Sequence, residues 1–136
     1  MARQFPFLSA KSAQTLLRIS VSLIMMAHGV IRIYAGTVGG FGEFLNSKGF
    51  IIGKALAWGI TIFEITGGAI MASGSFVKWI CMIFIIEHIM GIILVHAKNG
   101  WFVVGHQSGG VEYSVLLIIS FIVIAANRNK ETNHSL

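Results

Sequence analysis

The sequence holds one cysteine, one proline and few charges, and each scarcity excludes something. Cys81 alone cannot close a disulfide within the chain, so a disulfide scaffold is excluded. Pro6 lies ahead of every apolar stretch, so no predicted helix carries a proline kink. Charged residues make up 11% of the 136, where a soluble domain has about 25%. Such a chain cannot cover itself with a solvated surface, which excludes an ordinary soluble enzyme. No GxGxxG, P-loop, zinc-ligand pair or nucleophile elbow occurs.

What is present in quantity is apolar. The hydrophobic share is 55% and the mean hydropathy +0.81. Disorder requires the opposite composition, so the chain reads as a single integral membrane domain. Its net charge of +5 does not indicate nucleic acid, because the ten lysines and arginines are scattered with no run or stripe.

A membrane-spanning helix needs about 20 mostly apolar residues. Four stretches qualify, at about 13–35, 51–73, 76–97 and 111–126, the last near the lower limit. The expected fold is all-α, a transmembrane four-helix bundle. Residues 1–12 would form a cytoplasmic N-terminal segment, 13–126 the bundle and 127–136 a cytoplasmic tail. Arg3 and Lys11 precede an apolar stretch, as in a signal peptide. That stretch is too long and contains Arg18, His28 and Arg32, so a retained helix is expected.

The positive-inside rule orients the bundle. Arg3, Lys11, Lys78, Arg128 and Lys130 fall on the side of the termini, against Lys48 and Lys98 opposite, with Arg32 and Lys54 at helix ends there. Both termini are therefore expected in the cytoplasm. Gly74 and Ser75 predict a tight turn between the second and third spans. The connection from Gly36 to Phe50 places Phe41, Phe44 and Leu45 at helical spacing, which predicts a short interfacial helix.

Polar residues at membrane depth carry the functional information. A charge at a helix centre costs about 2.5–3.5 kcal/mol on insertion scales, so it faces the bundle interior or water. The candidates are Arg18, His28 and Arg32 on the first span, Glu64 on the second, Glu87, His88 and His96 on the third, and Glu112 with Tyr113 opening the fourth. Arg18, Met25 and Arg32 are seven apart and share a stripe with Ser22 and Gly29. Ala57, Thr61, Glu64 and Gly68 form another, whose small residues permit close helix approach.

Two readings of these charges stand side by side. In one they lock helices in register, with Arg32 facing Glu112 at the outer end or His28 facing Glu64. Counting depth along straight helices predicts the Arg32–Glu112 pair. Alternatively they serve a ligand, with mid-membrane Glu64 and His88 relaying protons. No metal site is expected: a di-metal carboxylate bundle needs Glu-x-x-His pairs, and Glu87 and His88 are adjacent. A bis-histidine haem would rest only on the similar depth of His28 and His88, and is not expected.

The segment NGWFVVGHQSGGVEYSVLLI, from Asn99 to Ile118, resembles the signature of the DoxX family of small four-helix bacterial membrane proteins. Asn99, Gly100, Trp101, Gly109 or Gly110, Glu112 and Tyr113 carry the likeness. EITGGAIMASG, from Glu64 to Gly74, resembles the family's acid and glycines, and LLRISVSLIMMAHGVIRI its first helix. The proline and aromatics often preceding the family's asparagine–glycine pair are replaced here by His96, Ala97 and Lys98.

The resemblance implies a multi-pass protein of the bacterial plasma (inner) membrane. Some members of the family are small subunits of membrane oxidoreductases that pass electrons to quinone. It thus implies an accessory, quinone-interacting subunit whose partners are the lipid bilayer and other membrane or redox subunits, or further copies of itself. A quinone head group would hydrogen-bond to Arg32, His28 or Tyr113. The competing expectation is a non-enzymatic assembly protein with paired charges and a dry core. A cavity between helices, lined by these residues and open to lipid, would separate the two.

Overall fold

The computed structural model describes residues 7–106 and 108–132. The chain forms α1 (Ala10–Tyr34), α2 (Val38–Ser47), α3 (Gly53–Ser73), α4 (Val77–Gly91) and α5 (Glu112–Thr132). No strand occurs among the described residues. Beyond α4 the chain widens into a π-helical turn, Ile92–His96, and tightens into a 3-10 turn, Ala97–Asn99.

Local chemistry accounts for the ends. Ser9 caps α1, its Oγ accepting from the Ser12 N–H at 3.1 Å. Gly74 closes α3 with φ +88, the left-handed conformation that glycine adopts without a Cβ penalty. Phe76 then takes φ +49, and α4 starts at once. The predicted tight turn is therefore the observed one.

α1, α3 and the helical run Val77–Asn99 are long and apolar enough to cross a membrane, and Glu112–Asn127 is a shorter apolar helix. Apolar side chains cover the outside as well: Leu23, Ile62, Met82 and Ile119 are all exposed, as a helix surface in lipid requires. The predicted spans agree with this bundle to within a few residues. α5 runs on to Thr132, into the polar end of the chain.

Packing follows the stripes. α1 packs chiefly on α3 and α4 on α5, while α3 and α4, consecutive in sequence, meet little beyond their turn. Glycines set the α1–α3 approach: a Cβ on Gly29 would lie 2.7 Å from the Thr61 carbonyl, and one on Gly68 2.6 Å from Met26 Cγ. A core around Met25, Met71, Cys81, Phe84 and Phe121 fills the bundle toward the end that carries both termini. Cys81 is buried packing, its Sγ 3.6 Å from Met71 Sδ. α2 lays Val38 and Leu45 against Ala57 of α3 at the opposite end, with Phe41 and Phe44 packed beside them. The separation of α3 from α4 between these two cores leaves room for the site.

Candidate functional site

The centre of the site is an ion pair. Arg32 reaches from α1 to grip Glu64 of α3 with both terminal nitrogens; Nη1 pairs with Oε2 and Nη2 donates to Oε1 at 3.1 Å. Nη1 also donates to the Thr61 hydroxyl at 3.0 Å, and the guanidinium lies 4.8 Å from the centroid of the Phe41 ring. Two-nitrogen pairing of this kind is the strong form of an Arg–carboxylate contact. Glu64 is 2% exposed, and Ala57, Thr61 and Gly68 on its stripe are buried with it, as their spacing predicts.

The pair expected between Arg32 and Glu112 does not form. Arg32 is taken up by Glu64 and Thr61, and the Glu112 carboxylate accepts from the Val103 N–H at 2.7 Å. Glu112 therefore secures the loop before α5. Nor does His28 face Glu64 as the counter-ion; Arg32 holds that position. Side-chain direction explains the difference. Helical side chains lean toward their own N-terminus. α1 and α3 run in opposite directions, so Arg32 leans toward mid-membrane and Glu64 leans out to meet it.

Beside the pair opens a cavity of about 680 Å³, lined from α1 to α5. Among its polar walls are His28, Arg32, Glu64, Glu87, His88, His96 and Tyr113. The rest is mostly apolar, including Phe41, Leu56, Ile60, Phe63, Met90 and Leu94. The volume lies within the roughly 300–1,000 Å³ of small-molecule sites. Ile83 and Ile86 of α4 line the cavity while being 46% and 59% exposed, so it opens sideways toward lipid. Gly59 of α3 and Gly91 of α4 also line it, and a Cβ on either would meet nothing within 4 Å. Their missing side chains help keep the space open.

Histidine hydrogen bonding fixes which ring nitrogen faces the space. A carbonyl oxygen can only accept, so His88 Nδ1–H donates to the Phe84 carbonyl at 2.8 Å. Its Nε2 is left for another partner. The ring also lies 5.6 Å from that of Phe121. His96 Nδ1–H donates to the Gly109 carbonyl at 2.8 Å, and Asn99 Nδ2 donates to the same oxygen at 3.3 Å. The outer loop is thereby tied to the end of the third span. Glu87 lies within electrostatic reach of both Glu64 and Arg32. The site thus holds two carboxyls around one guanidinium.

A family model for DoxX matches residues 13–97. The chain belongs to the DoxX family. The match runs from the first turn of α1 through the π-helical turn and stops two residues short of Asn99, where the signature-like loop begins. Family membership therefore rests on the helices that supply Arg32, Glu64, Glu87 and His88. No match was found among curated proteins or among solved structures.

The residues singled out from sequence mostly converge in this DoxX bundle. Arg18 does not: it lies near Gly74, at the end of the bundle that carries both termini. Sequence reasoning placed Thr61 on the right stripe without giving it the Arg32 contact, and missed Phe41 and Gly59. A glycine facing a cavity and one facing lipid look alike in sequence.

Proposed function

We propose that this DoxX protein is an accessory, quinone-interacting subunit of a membrane oxidoreductase system. What supports the reading is the cavity: apolar walls opening sideways between α3 and α4, with charged and imidazole groups at their inner end. An isoprenoid quinone partitions into the bilayer and would enter from it. Its ring would lie toward Arg32 and Glu64, and its chain along Ile83 and Ile86.

Reduction of a quinone to the quinol takes two electrons and two protons. The electrons come from a partner subunit. The protons come through the cavity, and Glu87 and His88, which line it, would transfer them. Glu64 is less suited to that role than its depth alone indicated, because Arg32 holds it as a paired carboxylate. Tyr113 and His28 line the cavity and offer hydrogen bonds to quinone oxygens.

Gly91→Leu tests the reading. It projects a side chain into the cavity, leaves the ion pair alone and replaces glycine by a better helix former. The wild-type protein, purified gently from its native membrane, should carry quinone; the variant should purify in equal amount without it. A wild-type protein free of quinone, whose Gly91→Leu variant supports the host equally well, would refute the proposal. The assembly reading would then lead, and one observation already favours it: the Arg32–Glu64 pair bolts α1 to α3 with no ligand needed.

A further inference from the structure

At the other end of the bundle lies a second, smaller pocket of about 250 Å³, bordered by α1, the start of α4 and Ile124 and Asn127 of α5. Lys11, Thr15 and Arg18 line it from one face of α1, at i, i+4 and i+7, with Gln14 beside them and Asn127 from α5. Among the described residues no acidic side chain lines it.

Two independent features give it a demand for negative charge. The Arg18 Nε is buried and finds no acceptor among the described residues. A buried polar atom of this kind is costly unless something satisfies it. Val77, the first residue of α4, also lines the pocket, and no side chain caps that helix. The first-turn N–H groups and positive dipole end of α4 therefore border the space lined by Lys11 and Arg18.

We propose that this pocket binds the phosphate of an anionic phospholipid from the leaflet on the side of the termini. The phosphodiester oxygens accept from Arg18 and from the first turn of α4, and Lys11 supplies the second cation. Gln14, Thr15 and Asn127 offer hydrogen bonds to the glycerol hydroxyls of the headgroup. A choline headgroup fits poorly, because its ammonium would meet Lys11 and Arg18 with no carboxylate among the described lining residues. The source is lipid because the pocket lies at the end of membrane-spanning helices, where headgroups stand at high local concentration. The proposal is independent of the quinone reading, which concerns the opposite side of the core.

The test uses the full chain, stripped of lipid in detergent and titrated with phosphatidylglycerol or phosphatidylcholine of identical acyl chains. Native mass spectrometry reads the bound lipid. Phosphatidylglycerol should bind about tenfold more tightly than phosphatidylcholine, since both offer the phosphodiester but only choline sets an ammonium against Lys11 and Arg18. Arg18→Gln should abolish that preference, Lys11→Gln should reduce it, and Arg18→Lys should keep most of it. Equal binding of the two lipids by the wild type would overturn the proposal. So would Arg18→Gln lowering the melting temperature while its preference, and that of Lys11→Gln, stayed intact; Arg18 would then serve only the end of α3 beside Gly74. Displacement of phosphatidylglycerol by millimolar inorganic phosphate would overturn the lipid source and assign the pocket to free phosphate.

Discussion

Arg32 and Glu64 show how far single residues can be read without a structure. Hydropathy singles out both, because a charge within a span must face inward. Their partnership was not legible, since depth counted along an axis ignores the lean of each side chain and so set Arg32 opposite Glu112. The pair makes a definite prediction about stability. Glu64→Gln leaves the guanidinium, 20% exposed at its side chain, without its carboxylate. Breaking a fully buried pair costs 3–5 kcal/mol, and this partly exposed one should cost about 2 kcal/mol. Thermal melting in detergent should show it, and the double variant Arg32→Met, Glu64→Leu should recover much of the loss. If Glu64→Gln melts like the wild type, the ion pair contributes nothing to the fold.

Elements repeat the lesson at greater length. The stripes of α1 and α3 were readable because 3.6-residue periodicity survives in a membrane wherever small and polar residues mark the buried side. Gly29 and Gly68 bring these helices together, so a side chain there must force them apart. Gly29→Ala should destabilise by about 1–3 kcal/mol, as overpacking does, since its Cβ would stand 2.7 Å from both the Thr61 carbonyl and Ile65 Cγ1. Gly59→Ala on the same helix pair's open side should be neutral or stabilising, its Cβ meeting nothing within 4 Å. Melting temperatures of the two variants, measured together, check the contrast; equal values would mean that α1 and α3 do not pack through Gly29. The π-helical turn at Ile92–His96 was not legible, because an apolar run such as IILVH has the same hydropathy whether it turns every 3.6 residues or more slowly.

For the whole molecule, hydropathy marks the spans but not which helices touch. Every outer face is apolar, so pattern alone cannot show that α3 and α4 part to form a cavity. Orientation is governed by charge, and the structure sharpens that argument. Arg32 is bound to Glu64 and no longer counts among the free cations at the outer end. Lys48, Lys54 and Lys98 remain there, the first 5.5 Å from the Phe44 ring centroid. At the other end Lys11, Arg18 and Lys78 stand close to the membrane boundary, and in the sequence Arg3 precedes α1 while Arg128 and Lys130 fall in the polar end of the chain. Lys and Arg near span ends govern insertion, whereas acidic residues contribute little. Six cations against three should hold both termini in the cytoplasm. A reporter fused after Leu136 should therefore be active only as a cytoplasmic reporter, and one inserted near Gly105 only as an external one. Replacing Lys11, Lys78 and Lys130 by Gln removes three of the six and brings the two ends level. That variant should insert in mixed orientation, with both reporters giving signal. A triple variant as uniformly oriented as the wild type would show that something other than these charges sets the topology.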